Sequence, residues 1–233
     1  MKIIFTLVLY NHSVEDLIPL INSYNQLITS NPRKNIIVSI FDNSEISINK
    51  AKIKKLLDPR LNLIFKNANK NLGFGAGHNR AFKEVCKKIK IYQNDILIVT
   101  NPDIYFNQKE FLKIINFLNL KINSEIVCCT PLLRNFENQI QFSAKKNPTL
   151  LSLLIGRFQI LEKFNFLERY ISINQNRVST KKQIIHCEYL SGCFLIIRAK
   201  IFIKIKGFDE RFFLHFEDAD ITRTLNKYGA CAH

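Results

Sequence analysis

The stretch Asn69–Phe82 reads NKNLGFGAGHNRAF, with Gly73, Gly75 and Gly77 at alternate positions just ahead of a segment of helical period. Three of the chain's seven glycines fall within these five positions, so whatever this loop approaches, it approaches with bare backbone. A dinucleotide-binding fingerprint places its glycines after the first strand, with an acidic residue about 20 positions further on. Here they follow the third apolar run, and the position after Gly-Ala-Gly is His78. A dinucleotide pocket is therefore disfavoured. Two readings stay open: a loop lying along another phosphate-bearing ligand, or a flexible turn that relieves crowding ahead of a helix starting near residue 78.

Outward from this loop, apolar runs of strand length alternate with helical patterns. Ile3–Tyr10 precedes Val14–Ile28, Asn35–Phe41 precedes Asn49–Leu57, Leu61–Phe65 precedes the glycine loop and Asn79–Tyr92, and Asp95–Thr100 precedes Gln108–Asn119. This alternation predicts an α/β fold with a mostly parallel central sheet flanked by helices. Beyond Cys128 the pattern changes. Thr130–Ser143 has the look of a hairpin, Thr149–Ile171 is apolar with scattered charge, Lys181–Phe202 predicts a long strand region running into a short helix, and Phe216–Gly229 predicts a final helix stopped by Gly229. At 233 residues the chain suits one domain, with residues 1–125 as one half and 126–233 as the other.

Lys and Arg outnumber Asp and Glu by 34 to 19, a formal charge of +15. The chain is also rich in Asn and Ile, the mark of AT-rich coding, so part of this charge carries no functional meaning. The remainder suits phosphate groups or an anionic membrane surface. Basic residues do not alternate with aromatics as a nucleic-acid groove requires, and no zinc spacing occurs, which disfavours nucleic acid as a partner. The six cysteines have no CxxC or framework spacing, consistent with buried reduced thiols in the cytoplasm. Met1–Ser13 reads as a first buried strand rather than a signal peptide, and no uninterrupted apolar run is long enough to span a bilayer.

Two acidic sites stand where open α/β sheets bind ligands, and a third opens the last helix. Asp42 ends the second strand and Asp103 ends the fourth, after Pro102 has fixed the turn. An Asx turn at Asp42 and a solvated turn at Asp103 are the plain alternatives. Glu217, Asp218 and Asp220 follow an aromatic run and open the last helix, either as capping residues or as a base desolvated by its aromatic neighbours.

In their order, VLYN (8–11), DNS (42–44), NLGFGAGHNRA (71–81), NPD (101–103) and GFDERFFLHFEDADITR (207–223) resemble the inverting family 2 glycosyltransferases, most of all the rhamnosyltransferase-type enzymes of bacterial O-antigen and surface-polysaccharide synthesis. The resemblance runs from Ile3 to Tyr228. It implies the GT-A fold and transfer of a sugar, rhamnose-like or another hexose, from a nucleotide-diphosphate sugar to a glycan or lipid-linked oligosaccharide acceptor. It further implies that Tyr10, Asn11, Asp42, Asn71, Gly73, Asn79, Arg80 and Asp103 line the donor, with Asp42 on the base or ribose. Asp103 would hold Mg2+ or Mn2+ against the diphosphate. Asp218 takes the place of the catalytic base, and Glu217 that of a residue orienting the acceptor. Arg80 and Arg223 are phosphate-assisting or simply solvated.

Two departures are apparent. Similar sequences often carry a second basic residue where this chain has Thr224. They also continue into a further strand with a histidine near the metal, which a chain ending at His233 is expected not to reach. A C-terminally shortened, catalytically impaired nucleotide-sugar-binding relative is therefore the alternative, and a nucleotidyltransferase sharing the α/β half is a third reading. The expected location is the cytoplasm, with peripheral contact on the inner face of the membrane through residues 149–171, for which core packing is the competing account.

Overall fold

The first strand is apolar towards both sides. Ile3, Phe5, Leu7 and Leu9 enter one core and Ile4 the other, as befits a strand at the centre of a doubly covered sheet. The computed structural model describes residues 1–141, 143–145 and 186–233. In chain order its main elements begin with β1 (Lys2–Leu9), α1 (Ile18–Ser30), β2 (Asn35–Asp42), α2 (Lys50–Leu56), β3 (Asn62–Asn67) and α3 (Phe74–Lys88). There follow β4 (Ile96–Thr100), α4 (Gln108–Asn119), β5 (Ile126–Cys129), β6 (Leu133–Arg134), β7 (Ile140–Gln141) and β8 (Ala144–Lys145). The last are β9 (Tyr189–Leu190), β10 (Phe194–Arg198), α5 (Ala199–Lys204), α6 (Glu217–Leu225) and β11 (Ala230–Ala232).

Seven strands form one sheet in the order β11-β5-β10-β4-β1-β2-β3. Only β10 runs antiparallel to its neighbours, so the carboxyl ends of the other six share one edge. The sheet draws strands from both sides of residue 125. On one face Leu20, Tyr24 and Leu27 of α1, Ile53 of α2, and Phe111 and Ile115 of α4 bury the odd-numbered residues of β1. On the other, Phe82 and Val85 of α3, Phe202 of α5, and Ile221 and Leu225 of α6 cover Ile4, Ile37, Leu97 and Val99.

The alternation of strands and helices thus carries over into the fold, with four differences. Helix α3 begins at Phe74 rather than near residue 78, because contacts described below outweigh the helix penalty of its glycines, about 1 kcal/mol each. The strand region predicted at the start of 181–202 is, in its described part, two short strands, β9 and β10, broken by a turn at Ser191–Cys193, and the short helix predicted to follow is α5. A strand does follow Gly229, correcting the expectation that the chain stops short of one: Ala230 N–H donates to Glu125 O at 2.8 Å and Thr130 N–H to Ala232 O at 3.1 Å, and β11 pairs in parallel with β5. Finally, Cys128, Cys129, Cys187 and Cys231 are buried, but Cys86 is exposed and Cys193 only partly covered; burial pushes the Cys129 thiol up to about 12.

Leu133–Arg134 and Ile140–Gln141 form the expected hairpin. Among the described residues no helix is long and apolar enough to cross a membrane. The segment 149–171, with its membrane or core alternatives, lies outside the described residues.

Candidate functional site

At the shared carboxyl edge a cavity of about 350 Å³ opens between the ends of β1, β2 and β4 and the start of α3. Tyr10, Asn71, Gly73 and Asp103 line it, together with Asn43 and Phe213. Four of the ten residues assigned by resemblance therefore meet here. Asn43 and Phe213 were not singled out, although both lie inside quoted motifs.

The DNS motif builds the floor. Asp42 is wholly buried, and its carboxylate accepts from Ser44 N–H at 3.0 Å, Ser47 Oγ at 3.1 Å and Ile48 N–H at 2.8 Å. This is the Asx-turn alternative in full form: both oxygens face the loop that follows β2, and Asp42 is not among the cavity's lining residues. Ser44 Oγ accepts from the backbone Asn11 N–H at 2.7 Å, which ties the loop after β1 to the loop after β2. Asn43 Nδ2 donates to Gly73 O at 3.0 Å and to Asn71 Oδ1 at 3.3 Å. Its Oδ1 is buried with no partner among the described residues, a costly condition for an amide oxygen.

The glycines are held against protein. Gly73 has φ +87°, and a Cβ there would lie 2.3 Å from the carbonyl oxygen of Phe213, which also accepts from Phe74 N–H at 3.1 Å. A Cβ on Gly77 would meet the Val8 methyls at 2.7 and 2.8 Å, so only glycine lets α3 lie this close to β1. The next residue, His78, is fully buried, with Nδ1 at 2.9 Å from Thr6 Oγ1. Because the Thr6 hydroxyl donates to Ile98 O, Nδ1 carries the proton. Burial brings the imidazole down to about 3, so it stays neutral.

Asn79 and Arg80 point elsewhere. Asn79 Oδ1 accepts from Phe208 N–H at 2.9 Å and its Nδ2 donates to Phe208 O at 2.8 Å, while Arg80 pairs with Glu210 at 3.1 Å. Neither lines the cavity. They fasten α3 to the GFDE turn, away from the cavity that Asn71 and Gly73 line.

Asp103, by contrast, is exposed and lies on the rim of three adjoining cavities. The turn beside it is anchored where Asn101 N–H donates to Cys193 O at 3.0 Å. No group of three or more His, Cys, Asp or Glu side chains suited to a metal occurs among the described residues. One open carboxylate does fit a hard cation that arrives on a diphosphate, since Mg2+ is commonly held by one or two carboxylates plus substrate phosphates. His233 follows β11 at this same edge, with Nδ1 at 3.1 Å from Thr130 O.

The Gly192 turn links Asp103 to the last acidic group. Asp218 Oδ2 accepts from Tyr189 Oη at 3.0 Å and Gly192 N–H at 3.1 Å, so β9 and the turn before β10 aim this carboxylate. A Cβ on Gly192 would lie 3.1 Å from Asp218 Cβ and 3.4 Å from the ring of Phe74, a residue that lines the cavity. Asp218 thus stands one aromatic ring away from the cleft. Glu217 is buried, and its Oε2 has no partner among the described residues; burial first, then the neighbouring Asp218, raises its carboxyl above the usual range. His215 and Phe216 precede it at φ +73° and +66°, two left-handed residues in succession where bulky side chains rarely sit. Asp220 and Arg223 do not line the cavity.

No protein-family model matches the chain. Its sequence is 25% identical over 166 residues to rhamnosyltransferase WbbL of Escherichia coli K12, covering 69% of this chain and 57% of that protein. It is 25% identical over 167 residues to the N-acetylglucosaminyl-diphospho-decaprenol L-rhamnosyltransferase of Mycobacterium tuberculosis, covering 68% and 52%. The chain spans just over half the length of these curated relatives. Among solved structures it is similar to S. aureus TarS in complex with UDP, with a TM-score of 0.61 at 16% identity over 100% of this chain and 57% of that one. It is also similar to the Pyrobaculum calidifontis mannosyltransferase PcManGT in complex with GDP-Man and Mn2+, at 0.53 and 12% over 99% and 53%. The fold is that of the GT-A glycosyltransferases, and the sequence is rhamnosyltransferase-like.

Proposed function

We propose that the chain is a metal-dependent inverting glycosyltransferase that moves a sugar from a nucleotide-diphosphate donor to a glycan or lipid-linked acceptor. The observation that carries this is the meeting of Tyr10, Asn71, Gly73 and Asp103 around one cavity at the carboxyl edge of a parallel sheet, where open α/β sheets bind ligands. The likeness to rhamnosyltransferases supports the same reaction class. Solved neighbours hold UDP, and GDP-Man with Mn2+.

In this proposal Asp42 serves the donor indirectly, by shaping the loop that presents Asn43. The unpartnered Asn43 Oδ1 accepts an N–H of the nucleobase, as a buried amide oxygen with no partner requires. Asp103 holds the cation, whose chemistry when bound is to neutralise charge on the departing diphosphate. Asp218 accepts the proton of the acceptor hydroxyl as that oxygen attacks the anomeric carbon, and Tyr189 Oη and Gly192 N–H fix the carboxylate for it. One base suffices, because a single displacement inverts the centre without a covalent intermediate. Phe213 and Leu214 close one side of the cavity and keep water from competing with the acceptor. Glu217, buried behind the base, orients the acceptor side. Peripheral membrane contact through 149–171 belongs to the same proposal.

Titration with UDP-, dTDP- and GDP-sugars, with and without Mn2+, tests it. Metal-dependent binding and turnover with one nucleotide class, lost in Asp103→Ala, is the expected result. Absence of binding across the whole panel refutes it.

A further inference from the structure

A second cavity of about 530 Å³ lies on the opposite side of Asp103 from the donor cleft, between the loop leading into α4 and the β6–β7 hairpin. Tyr105 and Phe136 form its mouth, with ring centroids 6.3 Å apart and planes at 35°. Both are exposed, Phe136 at 88%. Phe194 lines it too, with polar side chains from Asn107, Arg134 and Gln141. A smaller cavity that shares Asp103, Tyr105 and Phe136 with it, and His12, Pro102 and Asp103 with the donor cleft, joins the two.

We infer that this groove binds a saccharide ring of the acceptor, with Tyr105 and Phe136 as stacking faces. The inference rests on the glycosyltransferase proposal for its role, but the groove's chemistry stands by itself. A pyranose presents an apolar C–H face and a belt of hydroxyls. Exposed aromatic rings match the first, and side-chain amides and a guanidinium match the second. Asn107 Oδ1 already accepts from Lys109 and Glu110 N–H and Arg134 Nη1 already donates to Asn138 O, but a lipid chain would strip water from Asn107 Nδ2, the other guanidinium N–H groups and the Gln141 amide without replacing it, a penalty that sugar hydroxyls avoid. Position agrees with this. Asp103 lines this groove and the donor cleft alike, so a sugar here borders the proposed cation ligand.

Saturation-transfer NMR on the full chain, with methyl α-rhamnoside and methyl N-acetyl-β-glucosaminide as probes, tests the groove. Calorimetric titration with nucleotide sugars and sedimentation with phosphatidylglycerol vesicles accompany it. Wild-type protein should saturate ring C–H protons of at least one glycoside, and Tyr105→Ala or Phe136→Ala should each weaken that binding about tenfold while nucleotide affinity is unchanged. Both side chains are exposed, so neither variant threatens folding. Glycoside binding that is indifferent to both substitutions overturns the inference, as does a loss confined to vesicle binding. A wild-type chain that binds nucleotide but neither glycoside refutes the groove alone. One that binds a glycoside through Tyr105 and Phe136 but no nucleotide upholds the groove and refutes the donor site.

Discussion

The ends of β2 and β4 look alike in the sequence, each an apolar strand closing on Asn, Asp and a turn former, yet their carboxylates meet opposite fates. After β2 the chain folds back within six residues, and Ser44, Ser47 and Ile48 take up both oxygens of Asp42. After β4, Pro102 lacks an N–H, and the chain runs on towards α4, leaving Asp103 open to solvent beside three cavities. An acid at a strand's carboxyl end thus becomes scaffold when the next amides can reach it, and remains available to a ligand when they cannot. The first case prepares the second: the loop shaped by Asp42 carries Asn43, which clamps the glycine turn across the cleft from Asp103.

Substitution should separate the two roles. Asp103→Ala is expected to lower turnover by about 10²–10³-fold, the scale of losing one electrostatic contact to developing charge, with a urea midpoint close to wild type. Asp42→Ala should cost about 2–4 kcal/mol in urea denaturation, because it strands buried amides of the loop. If Asp42→Ala unfolds like wild type, or if Asp103→Ala is the less stable of the two, the contrast fails. The glycine turn that spans both regions should respond next. Gly73→Ala forces a Cβ against the Phe213 carbonyl at positive φ and should cost about 1–3 kcal/mol, visible as a lowered denaturation midpoint and weaker nucleotide binding.

The smallest effect concerns Glu217, a third kind of carboxylate, buried with one oxygen lacking a partner among the described residues. Since burial raises its carboxyl, the folded chain holds this proton to a higher pH than the unfolded chain does. Its contribution to stability is therefore full below the unfolded value near 4.5, falls as pH rises through the folded value, and stays reduced above it. Glu217→Gln should remove that slope, leaving the variant the more stable of the two at neutral pH. Thermal melts across the acidic range would show whether the two curves converge at low pH as expected.

Much of the sheet was legible because its physics is local. Buried parallel strands must be apolar on both faces, and Ile3–Leu9, Ile36–Phe41 and Ile96–Thr100 announce that in their composition. The start of α3 was not legible, because glycines that penalise a helix in isolation are favoured where Val8 and Phe208 press on them. Strand β11 was missed for a similar reason: three residues carry no periodicity, and they become a strand only because β5 offers an unpaired edge. Asp103 and Asp218 were singled out in the sequence by residue type and position. Asn79 and Arg80 were placed beside the donor because the motif is contiguous, whereas a helix turns successive residues to different sides, and these two face the 207–210 turn.

The sequence alone determined the fold class, the order of its motifs and the residue types available for chemistry, since these follow from hydrophobic period and from which side chains can carry charge. Only the tertiary structure decided which acids stand open beside a cavity and which face the protein's own amides. That choice depends on where distant segments lie: the 189–192 turn aims Asp218, the Phe213 carbonyl sits on Gly73, and the loop beyond β2 closes over Asp42. Such contacts between positions far apart in the chain leave no mark in the spacing of neighbouring residues.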